Sequence, residues 1–284
     1  TANTNSITTI NTTLGTKADL ASPAFTGAPT APTALTSDNS TKIATTEYVK
    51  ANLATVSAGT LKLGANGGAT NTPLGTTAGA TTVSSGATLD LNGFTLGTAE
   101  GLTITGVGVS SAGALQNSSG TNAGYSGTVA ITTSANIGVS AAGDLTLSGI
   151  VSGGALTKVG TGAGKLILSN SNTYTGLTTV SEGTLALGAN GGATNTPLGT
   201  AAAGTSVTSG AVLDLAGFTL GTAEALTLNG TGISNSGALM NSGSAATYSG
   251  LITLGSTSSI VGETGTINLS NSGTITGATF GLTD

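Results

Sequence analysis

Carboxylates supply nearly all the reactive chemistry this chain has to offer. It carries 11 acidic residues, 6 basic ones that are all lysine, no histidine and no cysteine. Asp90 and Glu100 recur as Asp214 and Glu224, the one pair of acids that returns at the same spacing. Two carboxyl groups held about 5–9.5 Å apart across a sugar can cleave a glycosidic bond, so this pair is the chain's candidate for catalysis. Its duplication points instead to an architectural role, because a scaffold is copied more readily than an active site. Asp90 lies between Leu89 and Leu91; if the leucines face inward, the carboxylate is expected in solvent. Without histidine, cysteine or arginine, the usual nucleophilic, metal and phosphate chemistries lack their groups. The expectation is a non-enzyme with no catalytic residue, no cofactor and no metal. Asn-Gly-Gly at Asn66 and Asn190 lacks the aspartate of a calcium-binding repeat. Tyr125 and Tyr248 sit in turns, either as stacked rungs or as exposed sugar contacts, and Phe94 and Phe218 occupy equivalent positions that read as core.

These residues are positioned by a duplication. GTLKLGANGGATNTPLGT at 59–76 returns as GTLALGANGGATNTPLGT at 183–200, a step of 183 − 59 = 124 residues. LDLNGFTLGTAEGLT at 89–103 likewise answers LDLAGFTLGTAEALT at 213–227. Such long periods mark folds built by stacking one unit. Within each unit the signal is aliphatic, any residue, aliphatic: Leu89/Leu91, Leu102/Ile104, Val129/Ile131, Leu145/Leu147, Leu166/Leu168, Leu213/Leu215 and others. That period of two gives one buried and one wet face, and Asn-Gly turns separate the pairs. Strands this short cannot form a core alone. Coiled so that each stacks on the last, they bury a continuous aliphatic column and pair their backbone groups. The expected fold is all-β, a parallel β-helix over residues 58–284 with units at 59–182 and 183–284. At about 20–25 residues per coil it has about ten coils. A β-prism or sandwich is the alternative.

Composition excludes several partners. Charged residues make up 6% of the chain and the net charge is −5, so no basic stripe exists for nucleic acid. No run reaches the ~18 apolar residues of a membrane helix, and no membrane insertion is expected. The chain opens on Thr1, which reads as a mature product or a fragment.

Residues 1–57 differ in character and read as a short extended or helical stem for attachment and oligomerisation. Ile7, Ile10 and Leu14 are spaced as an a/d seam. Thr and Asn surround them, so such a helix needs identical partners to bury it; a frayed tail is the competing reading. Pro23, Pro29 and Pro32 impose an extended path, with Phe25 positioned to lie along a partner chain. Residues 40–56 have helical rhythm, and Tyr48, Val49 and Leu53 are candidates to cap the stack.

Two resemblances add to this. The pattern GGALTKVGTGAGKLILSNSNTYTGLTTVSEGTLALG at 153–188 resembles the autotransporter-associated β-strand repeat of bacterial passenger domains, which implies a right-handed β-helix on a cell surface. KADLASPAFTGAPTAPTALTSDNSTKIATTEYVKANLA at 17–54 resembles tail-fibre proteins of tailed bacteriophages. That implies a homotrimeric virion fibre joined to a tail or baseplate protein, facing a host surface glycan or outer-membrane receptor. The leading expectation is therefore a structural phage tail fibre with a rigid shaft, located in the virion tail outside the cell. A secreted adhesin or autotransporter passenger is the alternative, and a polysaccharide-depolymerising tailspike the third reading.

Overall fold

The computed structural model describes residues 55–76, 79–97, 100–202, 204–221 and 224–283. By its contacts the chain divides into Thr1–Asn52 and Leu53–Asp284, and the second unit is described here. Ile7, Ile10, Leu14, Phe25, Tyr48, Val49 and Leu53 lie outside the described residues.

The second unit is a parallel β-helix with three faces. On the first face Thr55, Thr82, Thr103, Ala130 and Ser152 stack in parallel register. Their spacings of 27, 21, 27 and 22 residues are the coil lengths, as read from those pairings. On the second face the inward column runs Leu61, Leu89, Leu115, Ile137, Lys158, Val180, Val207, Leu228. On the third, Ala123, Leu145, Leu166, Leu185, Leu213, Leu239 and Ile260 are partners in turn. Most of these side chains are buried (0–3% exposed), which is the aliphatic column the period of two requires. Val129–Val139, Val151–Val159 and Ile252–Gly262 bend round a corner with a register shift, so that one 20-stranded sheet wraps more than one face. Among the described strands, antiparallel pairing is confined to two small hairpins, Asn71–Thr72 with Gly75–Thr76 and Asn195–Thr196 with Gly199–Thr200. Towards the ends of the stack Leu61 and Leu269 are exposed and Ile267 is half-buried, while Leu63 is still buried.

The duplicated unit is not a whole number of coils. Val56 sits on the first face above no described strand and below Val83, Ile104 and Ile131. Four coils on from Val56 the chain reaches Gly153, and a fifth brings residues 173–175 over it, where Thr175 N donates to Gly153 O at 3.0 Å. Val180, the counterpart of Val56 at a distance of 124 residues, then lies on the second face beside Lys158. The second copy is thus five coils up and turned by one face. Every equivalent pair of residues, including the two hairpins, looks out in directions a third of a turn apart.

Candidate functional site

The recurring acids are buried, and the local turn explains how. Asp90 is 2% exposed and Asp214 0%, which corrects the expectation that Asp90 faces solvent. Its side chain does point outward, but Ser118 of the next coil closes over it. Asp90 Oδ1 accepts from Asn92 N at 2.9 Å and Ser118 N at 3.1 Å, and Oδ2 from Ser118 Oγ at 2.5 Å. Asp214 repeats the set with Ala216 N at 2.9 Å, Ser242 N at 3.0 Å and Ser242 Oγ at 2.6 Å. Where Lys62 stands 3.9 Å from Asp90, the second copy has Ala186, and Lys165 reaches across to Asp214 Oδ2 at 2.7 Å. Burial opposes ionisation of Asp214, but the Lys165 ammonium, the Ser242 hydroxyl and two backbone N–H groups outweigh it. They hold the carboxyl below its ordinary range.

Each aspartate also sets the turn that follows it. Asn92 and Gly93 adopt φ of 51° and 80°, Ala216 and Gly217 φ of 48° and 85°. Asparagine tolerates the left-handed region and alanine does not, and Asn92 Nδ2 additionally donates to Leu63 O at 3.0 Å. Ala216→Asn is expected to raise the unfolding free energy by about 1 kcal/mol. Urea denaturation measures it; a lower midpoint would show that the turn does not govern this site.

Glu100 and Glu224 fasten the hairpins. Glu100 accepts from Thr72 Oγ1 at 2.7 Å and Thr81 Oγ1 at 2.8 Å. Glu224 accepts from Thr205 Oγ1 at 2.7 Å and Thr196 Oγ1 at 3.2 Å. In each copy one threonine comes from the hairpin and one from the coil beside it. Tyr125 and Tyr248 are buried rungs, their hydroxyls donating to Glu100 O at 3.1 Å and Glu224 O at 2.9 Å. Phe94 and Phe218 are partly buried against the core. Desolvation pushes the Glu224 carboxyl up to about 7, against the pull of its two threonines. A carboxyl with a raised folded-state value binds more protons folded than unfolded, so stability falls as pH rises from 4.5 through about 7. The full loss is about 3 kcal/mol. Glu224→Gln is expected to flatten that part of the pH–stability curve, and an unchanged slope would contradict the assignment.

Sequence reasoning missed Lys158, whose side chain points into the core between Ile137 and Val180. Its Nζ donates to Val159 O at 3.0 Å, Gly160 O at 2.8 Å and Glu182 O at 3.0 Å, tying one corner to the coil above. Burial pushes the ammonium down to about 8, against the Glu182 carboxylate. Asn172 was missed too: it accepts from Val151 N at 2.7 Å and donates to Pro197 O at 2.7 Å.

With the acids engaged internally, what faces outward is hydroxyl-rich. Thr157, Thr179, Ser206, Thr227, Thr253 and Thr276 are successive partners on the second face, all at least partly exposed. Strand stacking spaces them about 4.8 Å apart. A shallow groove of about 280 Å³ on the third face is lined by Thr95, Asn122, Gly124, Ser126, Thr146 and Ser148 among others. Among the described residues no three acids cluster as a metal site, and no helix is long and apolar enough to cross a membrane.

Comparison with curated proteins and with solved structures gives no match. One family model does match: residues 156–187 are similar to the passenger-associated-transport-repeat. This segment spans Lys158, Asn172, Tyr174 and Glu182 and winds through one full coil and on across the next two strands. The match and the fold together give a parallel β-helix carrying a passenger-type repeat.

Proposed function

We propose that the chain is part of a secreted, surface-exposed stalk of the autotransporter-passenger or adhesin type. The observation that carries this is the passenger-associated repeat at 156–187, wound into the middle of a parallel β-helix. Such a stalk is a rigid rod of about ten coils, roughly 50 Å long at 4.8 Å per coil. It acts by presenting repeated weak contacts, and these add through avidity. The uncharged hydroxyl column on the second face suits a polar, glycan-rich host surface. No catalytic step and no cofactor enters this role, because each recurring carboxylate is already committed to hydrogen bonds within the fold.

A phage tail-fibre shaft is the second reading, favoured by the KADLASPAFTG…IATTEYV pattern at 17–54. There the Ile7, Ile10 and Leu14 seam, with Phe25, holds a homotrimer joined to a tail or baseplate protein. Ile10→Asp would then reduce trimer to monomer. Antibodies against the chain separate the two. Labelling of the outer surface of intact bacteria that encode it is the expected result. Labelling of purified virions, with bare cells unlabelled, would overturn the stalk and favour the fibre.

A further inference from the structure

At Gly124 the outward surface of the third face drops to bare backbone. Thr95, Gly124 and Thr146 are successive partners there, about 4.8 Å apart from coil to coil, so a threonine stands on either side of the glycine. Asn122 and Ser126 flank it along its own coil. Ser148 N donates to Tyr125 O at 3.0 Å, which sets Ser148 beside Ser126. These six residues border the groove of about 280 Å³. Described coils continue on both sides of it: Gly67 N donates to Thr95 O at 2.9 Å, and Thr146 pairs with Ile167. The groove therefore lies within the stack and not at an end.

The groups that face it are uncharged and underused. Asn122 commits its Oδ1 to Asp144 N at 2.9 Å. Among the described residues nothing bonds Asn122 Nδ2, Thr95 Oγ1, Thr146 Oγ1 or Ser148 Oγ. A charged ligand would find no counter-charge in the lining. Tyr125, the aromatic lining residue, is buried with its hydroxyl on Glu100 O, so no ring is offered for stacking. What fits is a small neutral group rich in hydroxyls, which both donate and accept. Pockets for whole organic ligands begin near about 300 Å³, and a space of about 280 Å³ suits one sugar ring.

The second copy supplies the comparison. Its counterparts are Thr219, Thr247 and Asn268, again partners in register, with Ala245 in the place of Asn122. Thr247 puts a side chain where the first copy has none, and Ala245 withdraws the amide. Nothing in the backbone demands glycine at 124, which lies outside the positive-φ region. A Cβ there would meet Thr95 Cγ2 at 3.1 Å and Oγ1 at 3.2 Å, the tip of a side chain that can turn aside. The glycine makes a notch that the fold itself does not require.

We propose that the Gly124 groove binds one neutral sugar residue of a surface glycan, with Thr95, Asn122, Thr146 and Ser148 as its hydrogen-bonding partners. The proposal deepens the stalk reading and rests on it for the presence of a glycan-bearing surface. A few neutral hydrogen bonds without stacking give a dissociation constant on the order of 1 mM, which many copies on one cell strengthen through avidity.

Amide NMR spectra of the full chain, titrated with the methyl glycosides of glucose, galactose, mannose and N-acetylglucosamine to about 20 mM, test this. The expected result is saturable shifts at Thr95, Gly124 and Thr146 with at least one of these sugars, and none at Thr219, Thr247 and Asn268. Gly124→Thr, which copies the second unit, should abolish the shifts and leave the rest of the spectrum in place. Thr146→Val, which keeps the volume, should weaken binding about fivefold. Thr247→Gly combined with Ala245→Asn should open a second site at 219–268. No saturable shift with any of the sugars would overturn the proposal. So would binding that survives Gly124→Thr or is unmoved by Thr146→Val, or shifts of equal size in both copies of the unmodified chain. Sugar binding by a chain found on virions alone would uphold the groove and overturn the stalk. A chain displayed on cells that binds none of these sugars would do the reverse.

Discussion

Gly250→Ala is expected to lower the unfolding free energy by about 4 kcal/mol, at the extreme of single-residue effects. A Cβ there would lie 1.6 Å from the Glu224 carbonyl oxygen and 2.8 Å from the Tyr248 ring. Neither obstacle is a flexible side-chain tip, so the coil backbone has to move. Movement breaks the Tyr248 hydroxyl bond to Glu224 O and the neighbouring Leu226 N to Leu251 O bond of 2.9 Å. It also pulls Glu224 away from the two threonines that fasten the second hairpin. Gly221→Ala is the control: its Cβ meets nothing within 4 Å, and a change within about 0.5 kcal/mol is expected. Equal effects of the two substitutions in a urea titration would refute the stacked geometry at this corner.

Lys158→Ala is expected to cost about 4 kcal/mol, combining a core cavity with lost hydrogen bonds. The ammonium satisfies three carbonyls at once, two on its own coil and Glu182 O on the next. Gly160 N, bonded to Glu182 Oε2 at 2.8 Å, reinforces the same corner. Lys158→Met separates the two contributions: it keeps most of the volume and removes the donors, so it should recover roughly half of the loss. Full recovery by methionine would mean that the charge contributes nothing. No recovery would mean that packing contributes nothing.

The short aliphatic pairs announced the columns because alternation is local: Leu89 and Leu91, or Leu166 and Leu168, show which way they face whatever lies above them. Asp90 was misread for the complementary reason. Its local pattern does send it outward, but Ser118, 28 residues away, covers it, and coil register is not written in either segment alone. Lys158 reads as surface in any hydropathy pattern. Its burial depends on three carbonyls that converge only after a corner and a further coil have formed. The turn of the second copy by one face was hidden similarly. It follows from coil lengths of 21, 22 and 27 residues, which two similar copies set 124 residues apart do not reveal. Among the described residues Pro73 is exposed and Pro197 buried although both sit in the same NTPLGT hairpin, a difference that sequence identity conceals.

Cross-linking of paired cysteines tests the stack and its turn together, since the chain has no cysteine of its own. In one variant Thr157 and Thr179 are replaced, partners in adjacent coils of the second face. In the other Ser152 and Thr179 are replaced, which would face each other if the copies were stacked a whole number of coils apart. In-register strands place Cα atoms about 4.8 Å apart, within reach of a disulfide. Rapid, near-complete cross-linking of 157 with 179 and none of 152 with 179 is the predicted result. The reverse pattern, or no reaction in either variant, would contradict the three-faced stack on which the rest depends.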